Sequence, residues 1–230
     1  KPYIDITINE MDKRGVSARW EGTRSISIDT TRSYEAKHIT IEGDATAASY
    51  AASLACIHRG QVKFTNLGSN TRQGDYRFFE VLERLGAEVT RDQTSTLIRG
   101  PSRLTTFKSI DMQDMPDVAL TLIALAPLLN EELSISGLSS LHHKECDRLE
   151  CPADEMLKMG IGVTTTSDSI RIQPASLEEL RGHLLTTYHD HRMAMAFSVL
   201  GSKTGLITVD DKNVVDKTYP DYWKDYQKFL

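Results

Sequence analysis

The sequence predicts an α/β protein in which one unit of about 73 residues is used three times around an approximate threefold axis. Two independent markers carry this expectation. Three helix-length apolar stretches each begin at an aspartate, and Asp44, Asp117 and Asp190 lie 73 residues apart at both steps. Each stretch is followed by a short β-branched run and then a basic residue, with Arg72, Lys144 and Lys217 at offsets of 72 and 73. So long a period is not that of a solenoid. Coincidence would have to reproduce both markers.

The elements follow from local pattern. Tyr3 to Arg14 sets Ile4, Ile6, Ile8 and Met11 among polar residues and stops at Gly15, as a short helix does. Val16–Trp20 and Ser25–Ile28 read as strands, and the first 37 or so residues stand outside the repeat. Within the repeat the first helices are ATAASYAASLACI, VALTLIALAPLL and HRMAMAFSVL, followed by the strands QVKFTNLG, ELSISGL and LITVDD. The second amphipathic stretches are YRFFEVLERLGAEV, RLECPADEMLKMGIGV and YPDYWKDYQKFL, with Gly86 and Gly160 as C-caps of the first two. Short strands are predicted at Ser95–Arg99 and Ser169–Ile172, and others before each unit at His38–Glu42, Ser109–Met112 and Leu184–Tyr188.

Composition narrows the function classes. The chain has 230 residues, 40% hydrophobic and 26% charged, which excludes disorder, collagen and coiled coil. Its longest apolar run, near Val118 to Leu129, is far shorter than the roughly 20 residues of a membrane-spanning helix. A net charge of −5 argues against a general nucleic-acid surface. Three cysteines without metal-type spacing favour a reducing cytoplasm over a disulfide framework and do not suggest zinc. The chain opens at Lys1, with no initiator Met, inside a structured segment, so a fragment is expected.

Threefold arrangement has a chemical consequence. Three first helices would turn their N-termini to one end of the lobe, each carrying unpaired NH groups and about half a positive charge. An anionic ligand suits that end. Asp44, Asp117 and Asp190 all fit as N-caps; for Asp117, entered through Pro116, cap and general base are equally open readings. Lys144, Glu145, Asp147 and Arg148 resemble a solvated charged loop, but repeat arithmetic sets Lys144 level with Lys217. Arg192 can bind carboxylate or phosphate bidentately. His189 and His191 alternate around Asp190 without a third metal ligand. Cys146, among these charges, is read as a packing residue, although they could lower its thiol pKa, and Met193 and Met195 are read as core.

The motifs MPDVALTL, HKECDRLE, YHDHRMAMAFS and DKTYPDYW, in that order, resemble the 5-enolpyruvylshikimate-3-phosphate (EPSP) synthase family. KPYIDIT, GDATAASY and GSNTRQGD match it too, so the resemblance covers essentially the whole chain. It implies an inside-out α/β barrel lobe of βαβαββ units, with residues 1–42 the remnant of a first lobe and 43–230 most of a second. The implied reaction moves the enolpyruvyl group of phosphoenolpyruvate to the 5-hydroxyl of shikimate 3-phosphate and releases phosphate, with no metal or organic cofactor. Carried over by position, Asp117 would be the base, Glu145 would exchange protons at the methylene, and Lys217 would bind phosphoenolpyruvate and act as acid. Arg148 and Arg192, with His191 nearby, would hold its carboxylate and phosphate; Lys144 and Tyr3 would contact shikimate 3-phosphate. The family is the target of glyphosate. One departure is Ser140-Leu141-His142-His143 where the family often has Asn-Trp-Arg-Val.

The resemblance further implies a partner, the missing N-terminal half with its own substrate-binding residues, without which turnover should be negligible. The alternatives are an enolpyruvyl transferase for UDP-N-acetylglucosamine, a non-catalytic anion-binding lobe, and a phosphate cyclase of related fold. DHRMAM with KTxPDY speaks against the first, and the last lacks a glycine-rich phosphate motif.

Overall fold

The computed structural model describes residues 2–176 and 178–230. The isoleucine pattern at the start forms α1 (Pro2–Lys13), followed by an antiparallel hairpin of β1 (Ala18–Glu21) and β2 (Ser25–Ile28). Trp20 Nε1 donates to Asp5 Oδ1 at 2.7 Å and fastens the hairpin to α1. No residue described in α1 is fully buried. Residues 29–44 contain neither helix nor strand, so the strand expected at His38–Glu42 does not form. Its alternating side chains find no core to face: Ile41 is 70% exposed.

The repeat then unfolds in order. The first unit is α2 (Ala45–Ile57), β3 (Gln61–Phe64), α3 (Phe78–Arg84), β4 (Glu88–Arg91) and β5 (Thr96–Arg99). The second is β6 (Ser109–Asp111), α4 (Ala119–Leu125), β7 (Leu133–Ser136), α5 (Glu150–Lys158), β8 (Val163–Thr165) and β9 (Ser169–Ile172). The third is β10 (His183–Leu185), α6 (His191–Thr204), β11 (Ile207–Val209) and α7 (Tyr222–Tyr226). The second unit thus runs β–α–β–α–β–β.

Helices α4 and α6 are the crossovers of two parallel strand pairs, β6 with β7 and β10 with β11. The remaining ladders, ordered β3-β5-β4 and β7-β9-β8, are antiparallel. Strands β4 and β8 are hidden in the sequence inside the tails of the amphipathic stretches. Gly86 and Gly160 make them possible: at φ 99° and 91° each turns the chain out of a helix and into a strand.

Helices α2, α4 and α6 lack a polar face, so each must be covered on all sides. They cover one another, packing in all three pairings. Every residue of α4 is buried, as is nearly all of α2. Ser49 Oγ of α2 and Thr121 Oγ1 of α4 meet at 2.9 Å, a buried polar pair satisfied between two repeats.

The sheets lie outside this bundle. β7 and β9 turn Leu133, Ile135, Ile170 and Ile172 inward, whereas β3, β4, β6 and β8 contain no fully buried residue. Helices inside and sheets outside are the inside-out arrangement. Met193 and Met195 lie in the core, as expected.

Close backbone approach marks the join between layers. At Gly100 an added Cβ would sit 2.1 Å from the carbonyl oxygen of Ala55 in α2. Gly100→Ala is therefore expected to destabilise the chain by about 1–3 kcal/mol through overpacking. A fall of several degrees in melting temperature would register it.

Candidate active site

Asp44 and Asp190 cap their helices, accepting from the Thr46 and Arg192 amides at 2.8 and 2.9 Å. Asp117 departs from this pattern. A 3₁₀ turn at Pro116–Val118 precedes α4, and Asp117 within it makes no cap bond, so its carboxylate is free for long-range partners.

Those partners are charged. Asp117 Oδ1 lies 3.0 Å from Lys144 Nζ and 3.2 Å from Arg148 Nη1, and Oδ2 lies 3.6 Å from Arg192 Nη2. The Tyr3 hydroxyl donates to Oδ2 at 3.1 Å, which brings α1 to the site. Burial pushes the Asp117 carboxyl up, but Arg192, Lys144 and Arg148 outweigh it and hold the group below the ordinary carboxylate range.

Arg148 is the hub. Its side chain is 2% exposed, and Nε and Nη2 donate to the two Asp190 oxygens at 2.7 and 3.1 Å. Nη2 also reaches Glu145 Oε2 at 2.5 Å, and the other Glu145 oxygen accepts from Lys217. Burial raises the Glu145 carboxyl, yet Lys217 and Arg148 prevail and bring it to about 2.

His191 is buried beside Asp190, with Nδ1 3.5 Å from Oδ1 but outside hydrogen-bond geometry. Burial, aided by Arg192 and Arg148, lowers its pKa against the pull of Asp190, which favours the neutral ring. All eight residues singled out from the sequence, Tyr3, Asp117, Lys144, Glu145, Arg148, His191, Arg192 and Lys217, therefore meet in one cluster.

Two members escaped the sequence reading. Asp75, 6% exposed, accepts a hydrogen bond from the Thr46 hydroxyl. Burial, reinforced by the charges of Asp117 and Asp44, raises its carboxyl to about 6. Tyr50, 1% exposed, stands near Arg192, and burial pushes its hydroxyl up to about 12. A buried acid in the GD pair after the Arg72 loop gave only a faint signal, and a tyrosine inside an apolar helix gave none.

Among the described residues, Arg192 Nε is buried without a hydrogen-bond partner, so this guanidinium retains donor capacity. Cys146 Sγ lies 3.4 Å from Asp190 Oδ2. Burial and that carboxylate raise its thiol pKa, the reverse of activation. Among the described residues no three His, Cys, Asp or Glu side chains are grouped to hold a metal ion, and no helix is long and apolar enough to cross a membrane.

A cavity of about 890 Å³ lies to one side of the cluster, between α1 and the 69–73 loop, with Lys13, Asp44 and Arg72 in its lining. Arg72, level with Lys144 and Lys217 by repeat arithmetic, thus lines a different space. The buried charges converge instead at the Asp117 cluster.

Bundle, outer sheets and charged cluster define the class: a lobe of the enolpyruvyl transferase fold. Over 95% of its length the chain superimposes with a TM-score of 0.75 on EPSP synthase from Acinetobacter baumannii, at 24% identity and over 52% of that chain. It also superimposes with a TM-score of 0.70 on the enolpyruvyl transferase NikO from Streptomyces tendae, at 14% identity, covering 100% of this chain and 53% of that one.

Residues 1–226 match the family described as EPSP synthase (3-phosphoshikimate 1-carboxyvinyltransferase), and the chain belongs to that family. Relatives carrying the name 3-phosphoshikimate 1-carboxyvinyltransferase include one from Idiomarina loihiensis, 34% identical over 99% of this chain and 53% of its own length. Another, from Haemophilus influenzae, is 35% identical over 99% of this chain and 52% of its own length. The chain spans about half the length of these relatives.

Three outcomes test the electrostatics. Asp190→Asn strips a fully buried partner from Arg148 and should cost roughly 3–5 kcal/mol in urea unfolding. Glu145, lowered from 4.5 to about 2, contributes stability that is present above 4.5 and lost as pH falls toward 2, so Glu145→Gln should flatten that part of the acid limb. Asp75, raised from 3.8 to about 6, has the opposite sign: stability falls as pH rises across that interval, and Asp75→Asn should abolish the fall.

Proposed function

We propose that this chain supplies one side of an active site that transfers the enolpyruvyl group of phosphoenolpyruvate to the 5-hydroxyl of shikimate 3-phosphate, releasing phosphate. The observation that carries the reading is the convergence of Lys144, Arg148, Arg192 and Lys217 around two ionised carboxylates, Asp117 and Glu145. Such a cluster can bind a doubly anionic substrate and move protons beside it.

In this reading Asp117, anionic at neutral pH, takes the proton of the 5-hydroxyl as its oxygen bonds to C2 of phosphoenolpyruvate. Lys217 gives a proton to C3, which becomes a methyl group in a tetrahedral intermediate. Glu145 then takes a proton from that methyl while the C2–O bond to phosphate breaks and phosphate leaves. Glu145 is a weak base while Lys217 is charged. Once Lys217 has given up its proton, the main cation lowering Glu145 is gone, and its carboxylate becomes a better acceptor for the second step.

Arg148 and Arg192 grip the phosphate and carboxylate of phosphoenolpyruvate, with His191 neutral beside them. Tyr3 and Lys144 face shikimate 3-phosphate. We assign residues 1–42 to the remnant of a first lobe and 43–230 to the second lobe of three repeated units; the half-length match supports a complementary N-terminal half as the partner that completes the clamp. A cytoplasmic location, and membership of the family that glyphosate targets, belong to the same reading.

Mixing the chain with the N-terminal half of the Haemophilus influenzae relative should yield phosphate release that depends on both substrates. Asp117→Asn or Lys217→Met should lower that rate on the order of 100- to 10,000-fold. A folded mixture that binds phosphoenolpyruvate yet releases no phosphate would defeat the catalytic reading and leave an anion-binding lobe.

A further inference from the structure

The loop that carries Lys144, Glu145 and Arg148 has an anchor of its own. His142 Nδ1 lies 2.7 Å from Asp147 Oδ2, and its Nε2 lies 3.1 Å from the backbone oxygen of Ser167 in the turn between β8 and β9. Both partners are acceptors. A neutral imidazole carries one N–H and can satisfy only one of them, whichever tautomer it adopts; the imidazolium satisfies both.

Asp147 in turn receives the Leu149 and Glu150 amides on its other oxygen, each at 3.0 Å, at the start of α5. The same turn holds the beginning of the loop, because Asp168 Oδ1 accepts the Ser139 amide at 2.8 Å. Between these fixed points the Arg148 amide donates to the Leu141 carbonyl at 3.1 Å, closing the loop on itself.

We propose that the imidazolium of His142 is a positioning residue that fastens the 139–149 loop to the β8–β9 turn and so holds Lys144, Glu145 and Arg148 in register. The proposal rests on the functional reading above only for what those three side chains bind. The charges that act on the ring are carboxylates, Asp147 on its own loop and Glu150 at the start of α5; Asp168 on the opposing turn is engaged with the Ser139 amide. The Asp147 hydrogen bond is the largest influence and raises the ring's pKa above its ordinary 6.5, against a small opposing effect of burial. The sign follows: the clamp is complete below 6.5 and loses one bond as pH rises through the raised folded value.

The test follows backbone amide signals of residues 144–148 and the His142 ring signals of this chain by NMR from about pH 5 to about pH 9. Wild type should show the amides moving with the His142 midpoint, above 6.5. His142→Arg, charged throughout and able to donate to both partners, should keep the low-pH spectrum at every pH. His142→Gln should resemble the high-pH spectrum at every pH. Phosphoenolpyruvate affinity should weaken roughly twofold to fivefold across the wild-type transition, the range an exposed ion pair supports, and stay flat in His142→Arg.

Amides that ignore the His142 midpoint, or a His142→Gln spectrum matching wild type at low pH, would overturn the proposal. If no variant binds phosphoenolpyruvate while the amides still track His142, the functional reading falls and the clamp stands.

Discussion

The structure depends on one constraint: three helices with no polar face have to be buried, and the only cover large enough is one another plus a sheath of sheets. Packing α2, α4 and α6 together places the strands outside and sends the crossover loops to common ends of the bundle. The aspartate-led N-termini gather at one end, where Arg192 on the first turn of α6 feels the charges of Asp44 and Asp117 from the other two units. A hydrophobic requirement thereby delivers an electrostatic one.

At that end the three repeats have diverged in use. Asp44 and Asp190 keep the capping role, whereas the 3₁₀ turn at Pro116 releases Asp117 from it. Asp190 does a second job, gripping Arg148 from a fully buried position while capping α6. The cluster is close to self-neutralising, which is what allows so many cations to sit together in a partly buried space. Its internal pairs also hold Lys and Arg side chains in place, reducing the ordering that an anionic guest would otherwise impose.

The periodicity was legible because packing around an axis repeats the same burial problem, and the same residue types solve it each time. Apolar helices, glycine turns and the spacing from Lys144 to Lys217 all express that repetition. Other features were illegible for equally physical reasons. The His38–Glu42 strand has the right alternation but no core beneath it. Strands β4 and β8 are four and three residues long and follow their helices within a few residues of a turning glycine, too short to stand out from an amphipathic tail. Cys146 among charges looked open to a lowered pKa, but the charge nearest its sulfur is negative.

By itself the sequence determined the α/β class, the threefold unit and the apolar centre, because these follow from residue type and spacing along one chain; the identities of the eight clustered side chains came from its resemblance to the EPSP synthase family. Tertiary structure decided which aspartate is free of its helix, that Arg148 joins three carboxylates, that Asp75 and Tyr50 stand at the cluster, and that both His142 nitrogens face acceptors. These depend on distances between segments remote in sequence. A protonation state or a caged guanidinium is set by whatever the fold brings within a few ångströms, and no local pattern encodes that.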